Sequence, residues 1–146
     1  MNTDMTMVDV LKYAIKLEHE SRSFYDAAAR QFEEGEVREL VETLRDEEIK
    51  HENRLTGILS DADKDAQVVL EESMVKRLIH NQEIEPKSSM KEVLGVALER
   101  EKLTRDFYRQ ISTMSHISAD VISAFDMLFE QESGHVTKIS HMLDRM

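Results

Sequence analysis

Two Glu-x-x-His motifs contain the residues of this sequence that are best suited to chemistry. Glu48 and His51 lie in EEIKHENRL, and Glu132 and His135 lie in QESGHVTKI. Residues three apart on a helix share a face about one turn apart, so each pair can offer a carboxylate oxygen and an imidazole nitrogen to one metal ion. One such motif is a weak indication, because it arises by chance in many helices. Two motifs at matched positions are a much stronger one.

Two further glutamates belong to a repeat that covers both halves of the chain. The segment AIKLEHESRSFY, with Glu18 and Tyr25, aligns with ALEREKLTRDFY, with Glu101 and Tyr108. The offset is 83 residues for the glutamates (101 − 18) and the tyrosines (108 − 25), and 84 for the two motifs (132 − 48 and 135 − 51). A pseudo-twofold axis that relates the halves would therefore bring both sets of polar residues to one centre.

Four long segments must position these residues, since each shows the apolar periodicity of a helix and is interrupted near its centre by ionisable groups. The four stripes run through residues 8–32, 37–58, 90–111 and 121–142. Gly35 makes a short turn after the first helix, which predicts that helices one and two are antiparallel neighbours. Ser115 and Ser118 mark the turn into the fourth helix, with Asp120 favourable in its first turn.

The connection between the two hairpins is long. The second helix is expected to end near Ser60, and residues 66–84 can form a shorter amphipathic helix. Pro86 breaks the chain, and Ser89 with Glu92 forms a capping box for the third long helix. The sequence therefore predicts an all-α protein, an antiparallel four-helix bundle of two repeated helical hairpins joined by a long crossover that contains a short helix.

Four inward carboxylates and two imidazoles would face one another in this bundle. Like charges about 4 Å apart repel by about 4 kcal/mol even at an effective dielectric constant near 20. Either some of the acids are protonated or cations lie among them, and two divalent ions would balance four ionised glutamates. Proteins with di-iron or di-manganese carboxylate centres have this arrangement, in which two helices each supply a Glu-x-x-His pair and the other two helices each supply one glutamate. Nitrogen and oxygen ligands suit Fe, Mn or Zn.

Composition sets further bounds. The chain has 146 residues, enough for one domain, which we expect to span 1–146. A net charge of −11 argues against nucleic acid or an anionic membrane as a partner. The absence of cysteine excludes thiolate metal sites within these residues. The N-terminal residues show no secretory signal, and no apolar run approaches the roughly 20 residues of a membrane span. We expect a soluble, cytoplasmic protein.

The pattern E…ExxH…E…ExxH, with FY seven residues after the lone glutamates, resembles the rubrerythrin branch of the ferritin-like superfamily over nearly the whole chain. The resemblance implies a ferritin-like bundle that holds two Fe ions per chain, for which Mn or Zn could substitute. It implies Glu18 and Glu101 as terminal ligands, Glu48 and Glu132 as bridging ligands, and His51 and His135 as one ligand to each ion. It also implies that Tyr25 and Tyr108 donate hydrogen bonds or relay electrons or radicals. Packing alone is an equal alternative for the tyrosines.

The activity implied is oxidation of Fe(II) coupled to reduction of H₂O₂ or O₂, in oxidative-stress defence. Two departures bear on it. Rubrerythrins carry a cysteine-ligated rubredoxin domain, which zero cysteines exclude here, so an external electron donor is expected. They also carry an additional glutamate one turn after the lone acid of the third helix, where this chain has Thr104. Two alternatives to this activity are iron storage of the ferritin type and a bundle in which the metal is only structural.

The protein is expected to form a homodimer.

The remaining ionisable residues near the motifs have a simpler interpretation. Three acids lie beside the chosen glutamates but off the stripes, and we interpret them as surface residues: Glu20, Glu47 and Glu99. Four histidines fall outside the repeated pattern, and surface or inter-subunit roles are predicted for them: His19, His80, His116 and His141.

Overall fold

Four long helices form the body of the protein. The computed structural model describes residues 2–61, 67–79 and 89–146. The elements are β1 (Asn2–Thr6), α1 (Met7–Gln31), α2 (Glu36–Asp61), β2 (Gln67–Glu71), α3 (Glu72–Ile79), α4 (Met90–Ser112) and α5 (Ala119–Asp144). Helices α1 and α2 pack as one antiparallel hairpin, and α4 and α5 pack as the other. The predicted bundle of two helical hairpins, with a short helix in the crossover, is confirmed.

The helix ends follow the signals in the sequence. Ser89 caps α4, because its hydroxyl accepts a hydrogen bond from the Glu92 backbone N–H at 3.2 Å while Glu92 reaches back to the Ser89 N–H. Ser118 accepts from the Val121 N–H at the start of α5. Gly35 has φ +154°, a conformation that side-chain-bearing residues rarely adopt, and it reverses the chain between α1 and α2.

The crossover differs from the prediction in its first part. Residues 67–71, predicted as the beginning of a helix over 66–84, form strand β2, which pairs antiparallel with β1 from Asn2↔Glu71 to Thr6↔Gln67. Val68 and Leu70 are buried while Val69 is 39% exposed, which is the period of two that a strand gives. The helix begins only at Glu72. Residues 80–84 and Pro86 lie outside the described part of the chain.

Two apolar clusters lie on either side of a polar layer. One cluster, which includes Leu11, Phe107 and Phe125, also takes in Val68 of β2 and Met74 of α3. The other cluster lies toward the opposite end of the bundle and includes Leu44, Val93 and Ile139. The ionisable residues at the centres of the four stripes fill the space between the clusters. Apolar packing on both sides therefore holds the polar layer in place.

The described surface shows little that would favour one kind of partner. Val69 and Met146 are its exposed large hydrophobic side chains. No helix within the described ranges is long and apolar enough to cross a bilayer. The expectation of a homodimer therefore stays a prediction, since no apolar face among the described residues marks an interface.

Candidate metal centre

All six residues predicted as ligands meet in the polar layer. Each long helix contributes at least one, since the set spans α1, α2, α4 and α5. Every one of these side chains is buried, with 3% relative exposure or less: Glu18, Glu48, His51, Glu101, Glu132 and His135. The two lone glutamates come from α1 and α4, and the two Glu-x-x-His pairs come from α2 and α5, as the repeat predicts.

One half of the layer is built around His51. Its Nδ1 lies 3.0 Å from Glu132 Oε1, 3.5 Å from Glu18 Oε2 and 4.0 Å from Glu48 Oε2. These four residues, Glu18, Glu48, His51 and Glu132, each offer one ligand atom within 4.8 Å of the others. Three helices thus converge on a volume the size of one ion.

The other half is built around His135. Its Nδ1 lies 3.3 Å from Glu48 Oε1, 3.4 Å from Glu101 Oε2 and 3.5 Å from Glu132 Oε2. Glu48, Glu101, Glu132 and His135 form a second group with ligand atoms within 4.8 Å of one another. Glu48 and Glu132 are therefore common to both groups, and the two imidazole rings stack with centroids 5.6 Å apart.

The inward atoms of these residues fit a cation. Several are buried and have no hydrogen-bond partner among the described residues: Glu18 Oε2, Glu48 Oε1, His51 Nδ1, Glu132 Oε1 and Oε2, and His135 Nδ1. Buried polar atoms rarely stay unpaired, because each carries a desolvation cost of about 1–3 kcal/mol. Carboxylate oxygens and imidazole nitrogens are donors that suit Fe, Mn or Zn. The donor set therefore fits two metal ions.

Without metal, protons must offset the charge of the four acids. Burial raises the pKa of the Glu48 and Glu132 carboxyls well above their ordinary value, and the neighbouring carboxylates add to the rise. Burial also raises the pKa of Glu18 and Glu101. For Glu18 the close contacts with Glu48 and His51 outweigh this effect of burial, and for Glu101 the close contacts with Glu132 and His135 do so. The net pKa of both is lowered, to about 2 for Glu101.

The two imidazoles are strong proton acceptors in this surrounding. Burial lowers the pKa of His51, but the close carboxylates of Glu132 and Glu18 favour the charged imidazolium and raise it to about 10. Burial also lowers the pKa of His135, but the close carboxylates of Glu101, Glu132 and Glu48 raise it overall. In the metal-free protein two imidazolium ions thus face the ionised Glu18 and Glu101. A metal ion would have to displace these protons.

The two predicted tyrosines pair with the lone glutamates of the opposite hairpin. Tyr25 donates from Oη to Glu101 Oε1, and Tyr108 donates from Oη to Glu18 Oε1. Burial and the nearby carboxylates raise the pKa of both phenols well above the ordinary 10.0, so that both are protonated donors at neutral pH. Both hydroxyls thus donate hydrogen bonds to predicted ligands, and a role of the tyrosines as relays of electrons or radicals stays a prediction.

Glu47, interpreted from the sequence as a surface residue, is only partly exposed and also reaches the centre. Its Oε2 lies 2.6 Å from Nε2 of His135, and its Oε1 lies 3.9 Å from Lys138 Nζ. Burial raises the pKa of Glu47, but the hydrogen bond with His135 and the positive charges nearby lower it overall. Its side chain is 31% exposed, so it forms the outer wall of the centre. In the sequence, only its position directly before Glu48 indicated that Glu47 lies close to the centre.

The other off-stripe residues lie where they were predicted. The side chains of Glu20 and Glu99 are 40% and 66% exposed, and that of His19 is 55% exposed. His116 and His141 are exposed, and His80 is outside the described residues.

Thr104 takes the place of the additional carboxylate of rubrerythrins. It is buried, and its hydroxyl donates to the backbone carbonyl of Arg100 at 3.0 Å. Ser21 is its counterpart in the repeat (104 − 83), and Arg100 Nη2 lies 3.4 Å from the Ser21 hydroxyl. No carboxylate enters the centre from either position.

Comparison with known proteins agrees with this geometry. The family model described as rubrerythrin matches residues 9–143. The crystal structure of a Thermotoga maritima protein, described as ferritin-like and diiron-carboxylate, has a TM-score of 0.77 at 22% identity. The likeness covers 96% of this chain and 95% of that chain, and it shows the shared fold. Comparison with curated proteins gave no significant match. The family and the buried Glu/His cluster together fit di-iron binding, and the chain belongs to the rubrerythrin family.

Proposed function

We propose that this protein holds two iron ions in the buried centre and couples oxidation of Fe(II) to reduction of H₂O₂ or O₂. The observation that carries the proposal is the pair of four-residue ligand groups that share Glu48 and Glu132. Two separate sites would not share side chains, and a single site would not need two histidines with their Nδ1 atoms facing the shared carboxylates from two helices.

Each residue has a distinct part in this proposal. Glu18 and His51 would hold one ion, Glu101 and His135 the other, and the carboxylates of Glu48 and Glu132 would lie between the two. The charges balance, since four ionised glutamates carry −4 and two divalent ions carry +4. Tyr25 and Tyr108 orient the lone carboxylates through their hydroxyl hydrogen bonds. The apolar clusters on both sides keep bulk water away from the centre.

Iron would supply the redox chemistry, since two ferrous ions give one electron each, and H₂O₂ with two electrons and two protons forms two waters. The oxidised pair would have to be reduced again for turnover. The chain has no cysteine and hence no thiolate-held redox centre among its 146 residues. The electron donor would therefore lie outside these 146 residues.

Anaerobic loading followed by rapid mixing tests the proposal. The protein is loaded with Fe(II), its iron content is measured, and it is mixed with H₂O₂ or O₂ while absorbance is followed. We expect two irons per chain, oxidation by either oxidant, and repeated cycles when a reductant is added. Glu101→Gln should lose this behaviour, whereas Glu99→Gln should keep it, because Glu99 is an exposed acid two residues away on the same helix.

The alternatives predict different results in the same experiment. An iron store would accumulate many irons per chain, and a structural staple would bind two ions that neither oxidant oxidises. Either result would contradict the proposed oxidoreductase function. The mass of the protein in solution separately tests the expected homodimer.

A further inference from the structure

The two halves of the centre differ in what holds the outer nitrogen of each histidine. His135 presents Nδ1 to the shared carboxylates, and its Nε2 lies 2.6 Å from Glu47 Oε2. The ion pairs of His51 with the described residues all run through Nδ1, at 3.0–4.0 Å. A carboxylate therefore supports one imidazole from behind and not the other.

The repeat shows that this difference is a substitution at one matched position. An offset of 84 residues relates His51 to His135 (135 − 51), and it relates Glu47 to Gln131 (131 − 47). Glu47, on α2, supports the histidine of α5. Gln131, on α5, is its counterpart toward the histidine of α2. One outer position thus carries a negative charge, and the matched position carries a neutral amide.

The surroundings of His51 strengthen the contrast. His51 and Gln131 line a surface depression of about 410 Å³, together with Glu47, Lys50 and Arg54. This depression brings the outer side of the His51 half close to solvent, although the His51 side chain itself is only 4% exposed. Lys50 and Arg54, which line the depression, are positively charged and therefore weaken the binding of a metal ion in the adjacent His51 half of the centre.

A carboxylate behind a ligand histidine has a known physical effect. It accepts the outer N–H, which leaves Nδ1 as the metal-binding nitrogen, holds the ring in place and makes the imidazole a stronger donor. A hydrogen bond to an ionised acceptor is about twice as strong as one to a neutral amide. Loss of such a partner commonly lowers metal affinity about 10–100-fold.

We propose that Glu47 is a positioning residue that makes the two half-sites unequal, so that the ion beside His135 binds first and more tightly while the ion beside His51 binds second and exchanges more readily. This inference rests on the proposed function, because it requires a centre that holds two ions. It adds an order of filling, and it places the exchangeable ion beside the solvent-facing depression.

Calorimetric titration of the metal-free chain with Co(II) under inert gas tests the order. Wild type should show two binding events at least about tenfold apart in affinity. Glu47→Gln should weaken the tighter event about 10–100-fold and leave the weaker one in place. Gln131→Glu should tighten the weaker event, which keeps the test decisive if Glu47→Gln fails to fold. Glu99→Gln changes the charge by the same amount at an exposed position and should alter neither event.

Histidine variants assign each event to a half-site. His135→Leu should abolish the tight event, and His51→Leu should abolish the weak one. In the exchanged variant Glu47→Gln/Gln131→Glu the assignment should reverse, so that His51→Leu then removes the tighter event.

Two events of equal affinity in wild type would overturn the inference, as would unequal events that neither Glu47→Gln nor Gln131→Glu changes. In both cases the chain would still bind two ions, and the proposed function would stand. Fewer than two Co(II) ions per wild-type chain would instead contradict the two-ion centre, and this inference would fall with it.

Discussion

The hydroxyl of Tyr25 lies 2.5 Å from Oε1 of Glu101, so that a tyrosine of α1 holds a carboxylate of α4 in place. The relationship is reciprocal, since Tyr108 of α4 lies 2.5 Å from Oε1 of Glu18 in α1. Each lone glutamate therefore has one oxygen held by the opposite hairpin and the other oxygen facing a histidine. The two hairpins are connected through the acids that would bind metal.

Removing one of these hydroxyls should destabilise the protein. Tyr25→Phe leaves a buried Glu101 oxygen without its donor, and an unsatisfied buried group costs about 1–3 kcal/mol. Denaturant unfolding of the metal-free protein measures the change. Tyr13→Phe is a matched control, because its hydroxyl donates at 3.2 Å to the Leu78 carbonyl in a part-buried position away from the centre. A Tyr25 variant as stable as wild type would show that this hydrogen bond contributes nothing.

Replacing either histidine should remove one ion. His51→Leu and His135→Leu each delete the only nitrogen donor of one ligand group, while leucine suits the apolar stripe. Elemental analysis after Fe(II) loading should therefore fall from two irons per chain to one, with circular dichroism unchanged. If both variants retain two irons with wild-type affinity, the imidazoles are not ligands.

The metal-free protein should lose stability as the pH rises. The Glu48 and Glu132 carboxyls have a higher pKa in the folded than in the unfolded chain. Their contribution to stability is therefore complete below the ordinary pKa of 4.5, and it is lost as the pH rises through their pKa in the folded state. His51 acts in the same direction, with its contribution complete below 6.5 and lost as pH rises through about 10. The lowered pKa of Glu101 stabilises above 4.5 and is lost as pH falls through about 2.

The free energy of unfolding of the metal-free chain should therefore be greatest near pH 4.5 and should fall as the pH rises to alkaline values. Free energies of unfolding measured at about pH 5, 7 and 9 test this. The loaded protein is the control, since bound cations replace the protons. Equal stability of the metal-free chain at pH 5 and 9 would be the contrary result.

Metal loading should release protons. Two imidazolium ions and the two shared carboxyls of raised pKa hold up to four protons in the metal-free centre (2 + 2), and ligands must lose them to bind metal. Calorimetry with Mn(II) in two buffers of different ionisation enthalpy gives the number. We expect two to four protons per chain at pH 7, and His135→Leu should lower it. A value near zero would mean that the centre is already deprotonated.

The residue at position 104 should affect the choice of oxidant. Thr104 turns its hydroxyl to its own helix and brings no charge to the centre. Thr104→Glu would add a carboxylate one turn beyond Glu101, and should raise the ratio of the H₂O₂ rate to the O₂ rate while lowering the stability of the metal-free chain. Thr104→Gln has the same length without the charge and serves as the control. An unchanged ratio in the glutamate variant would show that residue 104 does not determine the preference for H₂O₂ over O₂.

The sequence alone predicted the helical hairpins and the six inward residues, because both follow from local regularities. A helix places residues three and four apart on one face, so the position of Glu48 and His51 among apolar residues showed which way they point. The offsets of 83 and 84 residues then related the two halves. Caps at Ser89 and Ser118 could be predicted for the same reason, since a cap involves only three or four consecutive residues.

Contacts between distant segments were decided by the tertiary structure. Glu47 and His135 are 88 residues apart, and whether they meet depends on the rotation of α2 against α5, which no periodicity within one helix reveals. Residues 67–71 could be helix or strand by their own pattern, and pairing with residues 2–6 made them a strand. The sequence thus determined which residues face inward, because helical geometry is local. Only packing determined which atoms touch, and so which histidine has a carboxylate behind it.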